Sequence, residues 1–558
     1  MDIPFLLIAG EAYINDERLP ARIIHVTTYR LFISPTESSY SSIDCPIRSI
    51  DSIVMKDDIY LNIQCKHIRS FRLKFVTKNQ RDYWFRKLDD MIVLPTYLWA
   101  IHKGYGPLDD LFAIKFASDI RKDEHSYHDL FNVELIRLQL DTCPWRLTKI
   151  NENYELCTSY PKYCVVPSII TDEEISEAAE FRSYKRFPTI VWRHANGAII
   201  ARASQPEVSW LLRRSKEDEK MIQAIINACN GETNSNRLLI LHLGTRDAAI
   251  ENYAKYYPDC DVKFMNLPDI HATRRSARML SAVNAAQDKN YYSQLASTQW
   301  LQYFLALIKA ASCVVANVDK HNRSVLVHCS NGRDHTPQII TLAEIMLDSH
   351  YRTINGFQIL VEREWIQFGH KFGDRCGHGV DSNDPNERSP VFLQWLDCIY
   401  QLMIQNETSF EFNEIFLREL AQHTYSCLYG TFLCNTDFER TTANLEKKTL
   451  GVWSLLNIQS TPFINSSFNK TIKEVLYPSC SIDNLRIWSV LYLCYMPVGS
   501  SERPSSTSTI QNENNNNDRQ STICESNGLP NLFKKMSRRR KRQDSNSTQR
   551  SVCIRFFI

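Results

Sequence analysis

At 558 residues the chain is long enough for two or more domains and a large core. Hydrophobic residues make up 43%, a globular share, and a net charge of +2 from 65 basic and 63 acidic residues implies no general affinity for nucleic acid. The 17 cysteines show no Cys-x2-Cys or Cys-His spacing that would hold zinc, so they read as reduced thiols in a cytoplasmic protein without a metal site.

The opening stretch, MDIPFLLIAG, has a short apolar run and no basic flank, which makes it a poor signal peptide. No apolar run is expected to reach membrane-spanning length; the nearest, 487–499, offers about a dozen residues and contains a proline. Residues 1–95 form a strand-rich module: ARIIHVTTYRLFIS, SIVMKDDIYLNIQC and SFRLKFVTKN alternate or run with β-branched and aromatic residues. A helix over about 80–90, RDYWFRKLDD, closes it. Residues 96–140 are mixed connector and helix, and a larger unit spans 141–460. Within it, FRSYKRFPTIVW at 181–192 and ARASQP at 201–206 read as a basic turn followed by a strand, and LLILHL at 238–243 and VKFMNLP at 262–268 as sheet strands. The run 298–317 has the broad apolar face of a helix packed on a sheet. Alternating strands and helices predict an α/β domain with a central sheet flanked by helices and a cleft beyond the strands' carboxyl ends.

The centre of that unit is SVLVHCSNGRDHT at 324–336. Its apolar run reads as a short buried strand ending at His328 and Cys329. A small polar loop with Gly332 follows, and after Pro337 the spacing of Ile339, Ile340, Leu342, Ile345, Met346 and Leu347 predicts a helix. Strand, short loop and helix make an anion cradle, because backbone N–H groups of the loop and first helical turn point inward without partners. A cysteine held there is a candidate nucleophile. It is also a candidate core residue, since free cysteines often pack as small hydrophobes.

The segment resembles the signature loop of the myotubularin family of phosphoinositide 3-phosphatases, whose pattern is Cys-Ser-Asp-Gly-Trp-Asp-Arg-Thr. Here it reads Cys329, Ser330, Asn331, Gly332, Arg333, Asp334, His335, Thr336. The first aspartate has become asparagine, the tryptophan arginine and the arginine histidine. The resemblance implies a cysteine-dependent phosphatase-like domain preceded by a pleckstrin-homology-like (GRAM) domain at 1–95, with no cofactor. It makes Cys329 the nucleophile if the chain is active, Asp334 the general acid, and Ser330, Asn331, Gly332 and Arg333 the loop that holds substrate. His335 at the arginine position is shorter and lacks the planar five-donor fork, and with a reference pKa of about 6.5 it is expected to be partly charged at pH 7. Arg333 is the candidate substitute clamp.

Downstream, YRTINGFQILVEREWIQFGHKFGDRCGHG at 351–379 matches the family closely. Phe357, Leu360, Val361, Trp365 and Phe368 read as core by helical spacing. Lys371 and Arg375, four apart, share a helical face; a solvated basic face is the plain meaning of such a pair. By resemblance they line the pocket and contact inositol-ring phosphates. The helical half runs to about 460, and 461–500 reads as an extension. Residues 501–558 are polar, expected to be disordered, and carry a basic run, KKMSRRRKR at 534–542, suited to anionic lipid or nuclear import. No sustained heptads follow the catalytic unit.

Three functions stay open at this point. The first is a catalytically impaired pseudophosphatase that binds phosphatidylinositol 3-phosphate or the 3,5-bisphosphate, peripheral on endosomal membranes, and recruits or stabilises another myotubularin-family subunit. The second is an active 3-phosphatase working through a Cys329 thiolate. The third is an interaction scaffold that binds no lipid.

Overall fold

The computed structural model describes residues 4–5, 7, 11–20, 22–36, 42–92, 127–207, 214–230, 237–246, 254–286, 290–378, 384–458 and 461–492. The tail 501–558 with its basic run, and most of the connector, lie outside the described residues.

Two antiparallel sheets form the N-terminal module. Strands β1 (Tyr13–Arg18), β2 (Arg22–Thr27), β3 (Arg30–Pro35) and β4 (Ile43–Pro46) pair in sequence order, as do β5 (Ile50–Lys56), β6 (Tyr60–Cys65) and β7 (Ser70–Lys74). Alternation dictates the packing: in β6, Leu61, Ile63 and Cys65 are buried while the residues between face outward. Helix Lys78–Ile92 closes the module by burying Trp84 and Leu88 among these side chains.

The larger unit is built on a seven-stranded mixed sheet in the order β13-β12-β14-β11-β10-β9-β8. Strands β8 (Trp145–Thr148), β9 (Cys164–Pro167), β10 (Thr189–Arg193) and β11 (Ile199–Ser204) pair antiparallel. Strands β12 (Leu238–His242), β13 (Cys260–Phe264) and β14 (Val325–Cys329) extend the sheet in parallel from β11. β14 lies inside the sheet between β12 and β11 and every residue of it is buried, as expected of a parallel strand covered on both faces. Its register sets Cys329 beside Ser204 and His328 beside His242. The cysteine therefore emerges at the carboxyl edge of the sheet.

Helix Trp300–His321 is long and apolar enough to cross a membrane by length and composition, which corrects the expectation that no run reaches that length. Its apolar side, including Trp300, Phe304, Ile308, Val314 and Val318, is instead buried in the core of this unit. Helix His335–Leu347 follows β14 and is buried along almost its whole length. It starts two residues ahead of Pro337, so the proline sits in the first turn, where its missing N–H costs nothing. Phe357, Leu360, Val361, Trp365 and Phe368 are buried as their spacing predicts, although the second half of that stretch, Glu362–Gln367, is wound as a π-helix.

One buried ionic cluster ties these helices together. Arg363 lies 3.4 Å from Glu134, 2.8 Å from Glu344 and 2.8 Å from Glu364. Residues 461–492, read as an extension, pack against the helical half. Trp488 stacks on Tyr400 with centroids 4.9 Å apart, and the Tyr492 hydroxyl donates to Asp397 at 2.7 Å.

Candidate active site

The loop from Cys329 to Thr336 is shaped from beneath. Gly332 has φ +69, a left-handed conformation that favours glycine, and a Cβ there would stand 2.8 Å from the Ala203 carbonyl oxygen of β11. Its own carbonyl accepts from two buried guanidinium groups, Arg186 at 3.0 Å and Arg202 at 2.9 Å. Arg186 also donates to Ser159 and to the Phe368 carbonyl and covers the Tyr160 ring. Burial pushes its pKa down to about 10, which leaves it a cation at neutral pH. Arg202 is paired with Glu364 at 2.7 Å and lies over Phe368. The Asn331 side-chain oxygen accepts the Arg333 N–H at 3.0 Å, closing the turn, and Gln205 N–H donates to the Ser330 carbonyl at 3.1 Å.

Two donors converge on the Cys329 sulfur: the Gly332 N–H at 3.2 Å and the Thr336 hydroxyl at 3.2 Å. The sulfur is buried at the floor of the cradle, where a nucleophile in a loop of this kind must sit.

The neighbouring side chains have other engagements. Asp334 is gripped by Arg375 through two parallel bonds, Nε to Oδ1 and Nη2 to Oδ2, each 2.9 Å. His370 Nδ1 is 3.4 Å from the same carboxylate and 2.9 Å from the Arg333 carbonyl. Burial alone would raise the Asp334 pKa, but the Arg375 charge and the His370 contact hold it well below the usual carboxylate range. Arg375 in turn donates to Glu387 at 2.8 Å, and Lys371 stands 3.4 Å from both Glu387 and Asp374. The helix spacing thus gathers Lys371 and Arg375 around Glu387. Both are engaged by carboxylates, Arg375 almost wholly buried and Lys371 partly exposed.

His335 opens the helix after the loop. Burial lowers its imidazole pKa, outweighing Asp334, a hydrogen bond with the Pro268 carbonyl and Asp269. The shift is away from the charged form, and its leading cause is desolvation, which a residue list does not reveal. The Arg333 guanidinium turns away from the cradle: its Nε donates to the Gly369 carbonyl at 2.5 Å and its Nη2 to the Asn435 carbonyl at 2.7 Å.

The arrangement is a tight strand-loop-helix turn with a buried cysteine sulfur that receives two donors. Residues 111–441 match the family model described as the myotubularin-like phosphatase domain. This chain belongs to the myotubularin family. Relatives match it along most of its length. The chain is 39% identical over 555 residues to human phosphatidylinositol-3,5-bisphosphate 3-phosphatase MTMR4, covering 88% of this chain and 45% of that protein. With mouse phosphatidylinositol-3,5-bisphosphate 3-phosphatase MTMR2 it shares 39% over 455 residues, covering 80% and 69%. With the myotubularin of Xenopus tropicalis it shares 34% over 533 residues, covering 90% and 86%. The chain thus spans about half the length of the MTMR4 proteins it matches.

In this myotubularin-family chain, the residues that sequence reasoning missed are the supports of the loop. Arg186 and Arg202 stand in stretches read as a basic turn and a strand, and arginine in such a stretch is ordinarily solvated. The one available signal was positional: Arg202 lies inside an otherwise apolar strand, IIARAS, where a charge must find a buried partner. His370 was hidden for the same reason, since its contacts with Asp334 and Arg333 come from a segment over thirty residues away.

Proposed function

We propose that the chain is a phosphoinositide-binding myotubularin with a degenerate signature loop, a pseudophosphatase whose turnover is impaired. The observation that carries this reading is the engagement of the groups beside Cys329. In an active loop a thiolate attacks the phosphorus while a bidentate arginine stabilises the transferring phosphoryl oxygens, and a protonated carboxyl supplies the leaving oxygen with its proton. Here the imidazole of His335 is desolvated, Arg333 is held by two backbone carbonyls, and Asp334 is kept ionised by Arg375. Losing a clamp made mainly in the transition state costs on the order of 3–5 kcal/mol, roughly a hundred- to ten-thousandfold in rate. The turn is held by Arg186 and Arg202 on the Gly332 carbonyl and by none of those three side chains, which supports retained ground-state binding of a 3-phosphate.

In this reading the ligands are phosphatidylinositol 3-phosphate and the 3,5-bisphosphate, with Lys371 directed to the inositol-ring phosphates. The two small sheets and closing helix of the N-terminal module act as a pleckstrin-homology-like GRAM domain. The protein works peripherally on endosomal membranes, alone or with an active family subunit. A second reading, an active 3-phosphatase, is favoured by the two donors on the Cys329 sulfur and by the activity named for the relatives.

Phosphate release from short-chain phosphatidylinositol 3-phosphate and 3,5-bisphosphate separates the two. The wild-type chain is expected to bind both lipids and release almost no phosphate, and His335→Arg to restore measurable release. Turnover within about tenfold of an active relative, abolished by Cys329→Ser, would overturn the pseudophosphatase reading. Absence of binding would leave a scaffold.

A further inference from the structure

A second cleft, of about 70 Å³, lies where the three-stranded sheet of the N-terminal module meets the larger unit. That is room for a few waters or one phosphate group. Asp51 and Lys66 line it from one side, and Arg274, Arg278, Arg375 and Arg388 from the other. The charges do not balance. Arg388 is matched by Asp51 at 2.6 Å, and Arg375 by Asp334 and Glu387. Lys66 donates to the Gly377 carbonyl at 2.7 Å, and Arg274 to the Pro385 and Asn386 carbonyls at 2.7 and 2.5 Å. Among the described residues, no carboxylate forms an ion pair with Lys66, Arg274 or Arg278. Carbonyl oxygens satisfy donors without neutralising them, and Asp384, Asp269 and Glu387 act on Arg274 only at longer range.

Arg274 and Arg278 stand four apart on helix Ile270–Ala286, so one face of that helix brings two like charges to the cleft. Burial first and the Arg278 charge second lower the Arg274 pKa; burial lowers that of Lys66, where Arg388 acts in the same sense and Asp51 against it. Cations gathered this way around a small cavity at a module junction call for an anion to share among them.

We propose that this junction cleft is a second anion site, one that takes a phosphate monoester between Lys66, Arg274 and Arg278. A soluble phosphate monoester and the exposed headgroup of an anionic lipid present the same chemistry. Because the site uses none of the backbone donors around Cys329, it stands whether or not the signature loop binds lipid.

The test titrates the full chain calorimetrically with inorganic phosphate and, separately, by co-sedimentation with phosphatidylcholine vesicles doped with phosphatidic acid. Arg278→Glu is the first variant, because Arg278 is exposed, with circular dichroism expected to show the fold unchanged; Lys66→Met is the second. Gly332→Ala serves as the background that removes binding at the signature loop. In that background phosphate binding is expected to persist, and to weaken at least tenfold on adding either cleft variant. If vesicle recruitment falls in parallel, the occupant is a lipid headgroup; if only phosphate binding falls, it is a soluble monoester. Phosphate affinity unchanged by both cleft variants overturns the proposal. So does a loss of vesicle recruitment with phosphate affinity intact, which would mean diffuse surface charge.

Discussion

Replacing Arg375 with methionine tests the geometry around Asp334 directly. The guanidinium makes two 2.9 Å bonds to the carboxylate, and both side chains are almost wholly buried, 3% and 5% exposed. Removing one partner of such a pair leaves a buried charge without compensation, at a cost of about 3–5 kcal/mol. Glu387, the other partner, is 40% exposed and exchanges the lost bond for water, so it adds little. The pH dependence carries more information than the size. In the wild type the folded pKa of Asp334 lies below its unfolded value of about 3.9. The pair's stabilisation is therefore complete above about pH 4 and is lost as pH falls through the depressed value. In Arg375→Met, burial acts on the carboxyl without the opposing guanidinium and raises its pKa above the unfolded value. The penalty is then full at neutral pH and shrinks as pH falls toward about 4. Urea unfolding followed by tryptophan fluorescence at a series of pH values is expected to show the two proteins furthest apart near pH 7 and converging in acid. His370, 3.4 Å from the carboxylate, is the other group whose titration would shift in the variant. A variant within about 0.5 kcal/mol of wild type at pH 7, with a parallel pH profile, would refute the closed pair.

Gly332→Ala is expected to cost about 1–3 kcal/mol from backbone conformation, with a further penalty because the Ala203 carbonyl belongs to a sheet strand and cannot yield. Its signature is loss of 3-phosphate lipid binding at temperatures where circular dichroism shows the fold intact; retained binding would mean that the loop is not held as described. Arg363→Gln removes the common partner of Glu134, Glu344 and Glu364 and is expected to lower stability by about 3–5 kcal/mol. A change below about 1 kcal/mol in urea unfolding would show that the carboxylates find other partners.

Much of the fold was legible in the sequence because it rests on periodicity. Buried parallel strands such as LLILH and VLVHC are continuous apolar runs, and the helix at 300–321 shows a broad apolar face. The site was legible only as a list. Cys329, Gly332 and the helix after them followed from the strand-loop-helix pattern, but the partners of Arg333, Asp334 and His335 come from residues 268, 369, 375 and 435, which no local pattern links to the loop. Desolvation was equally invisible, and it is the leading cause that lowers the His335 pKa. The membrane-length reading failed for a related reason. A run that interleaves Gln302, Lys309 and Ser312 among apolar residues looks interrupted in one dimension, yet is long and apolar enough when averaged along a helix.

The two arginines beneath Gly332 separate the form of the cradle from its reactivity. Arg186 and Arg202 hold the loop by the Gly332 carbonyl, a backbone contact that does not involve the side chain at position 335. Substitution at position 335 can then change the side chain presented there without undoing the turn that carries it. The same division means that a ligand recognising only the backbone of the turn would be blind to residue 335, whereas one reaching toward that side chain would read it.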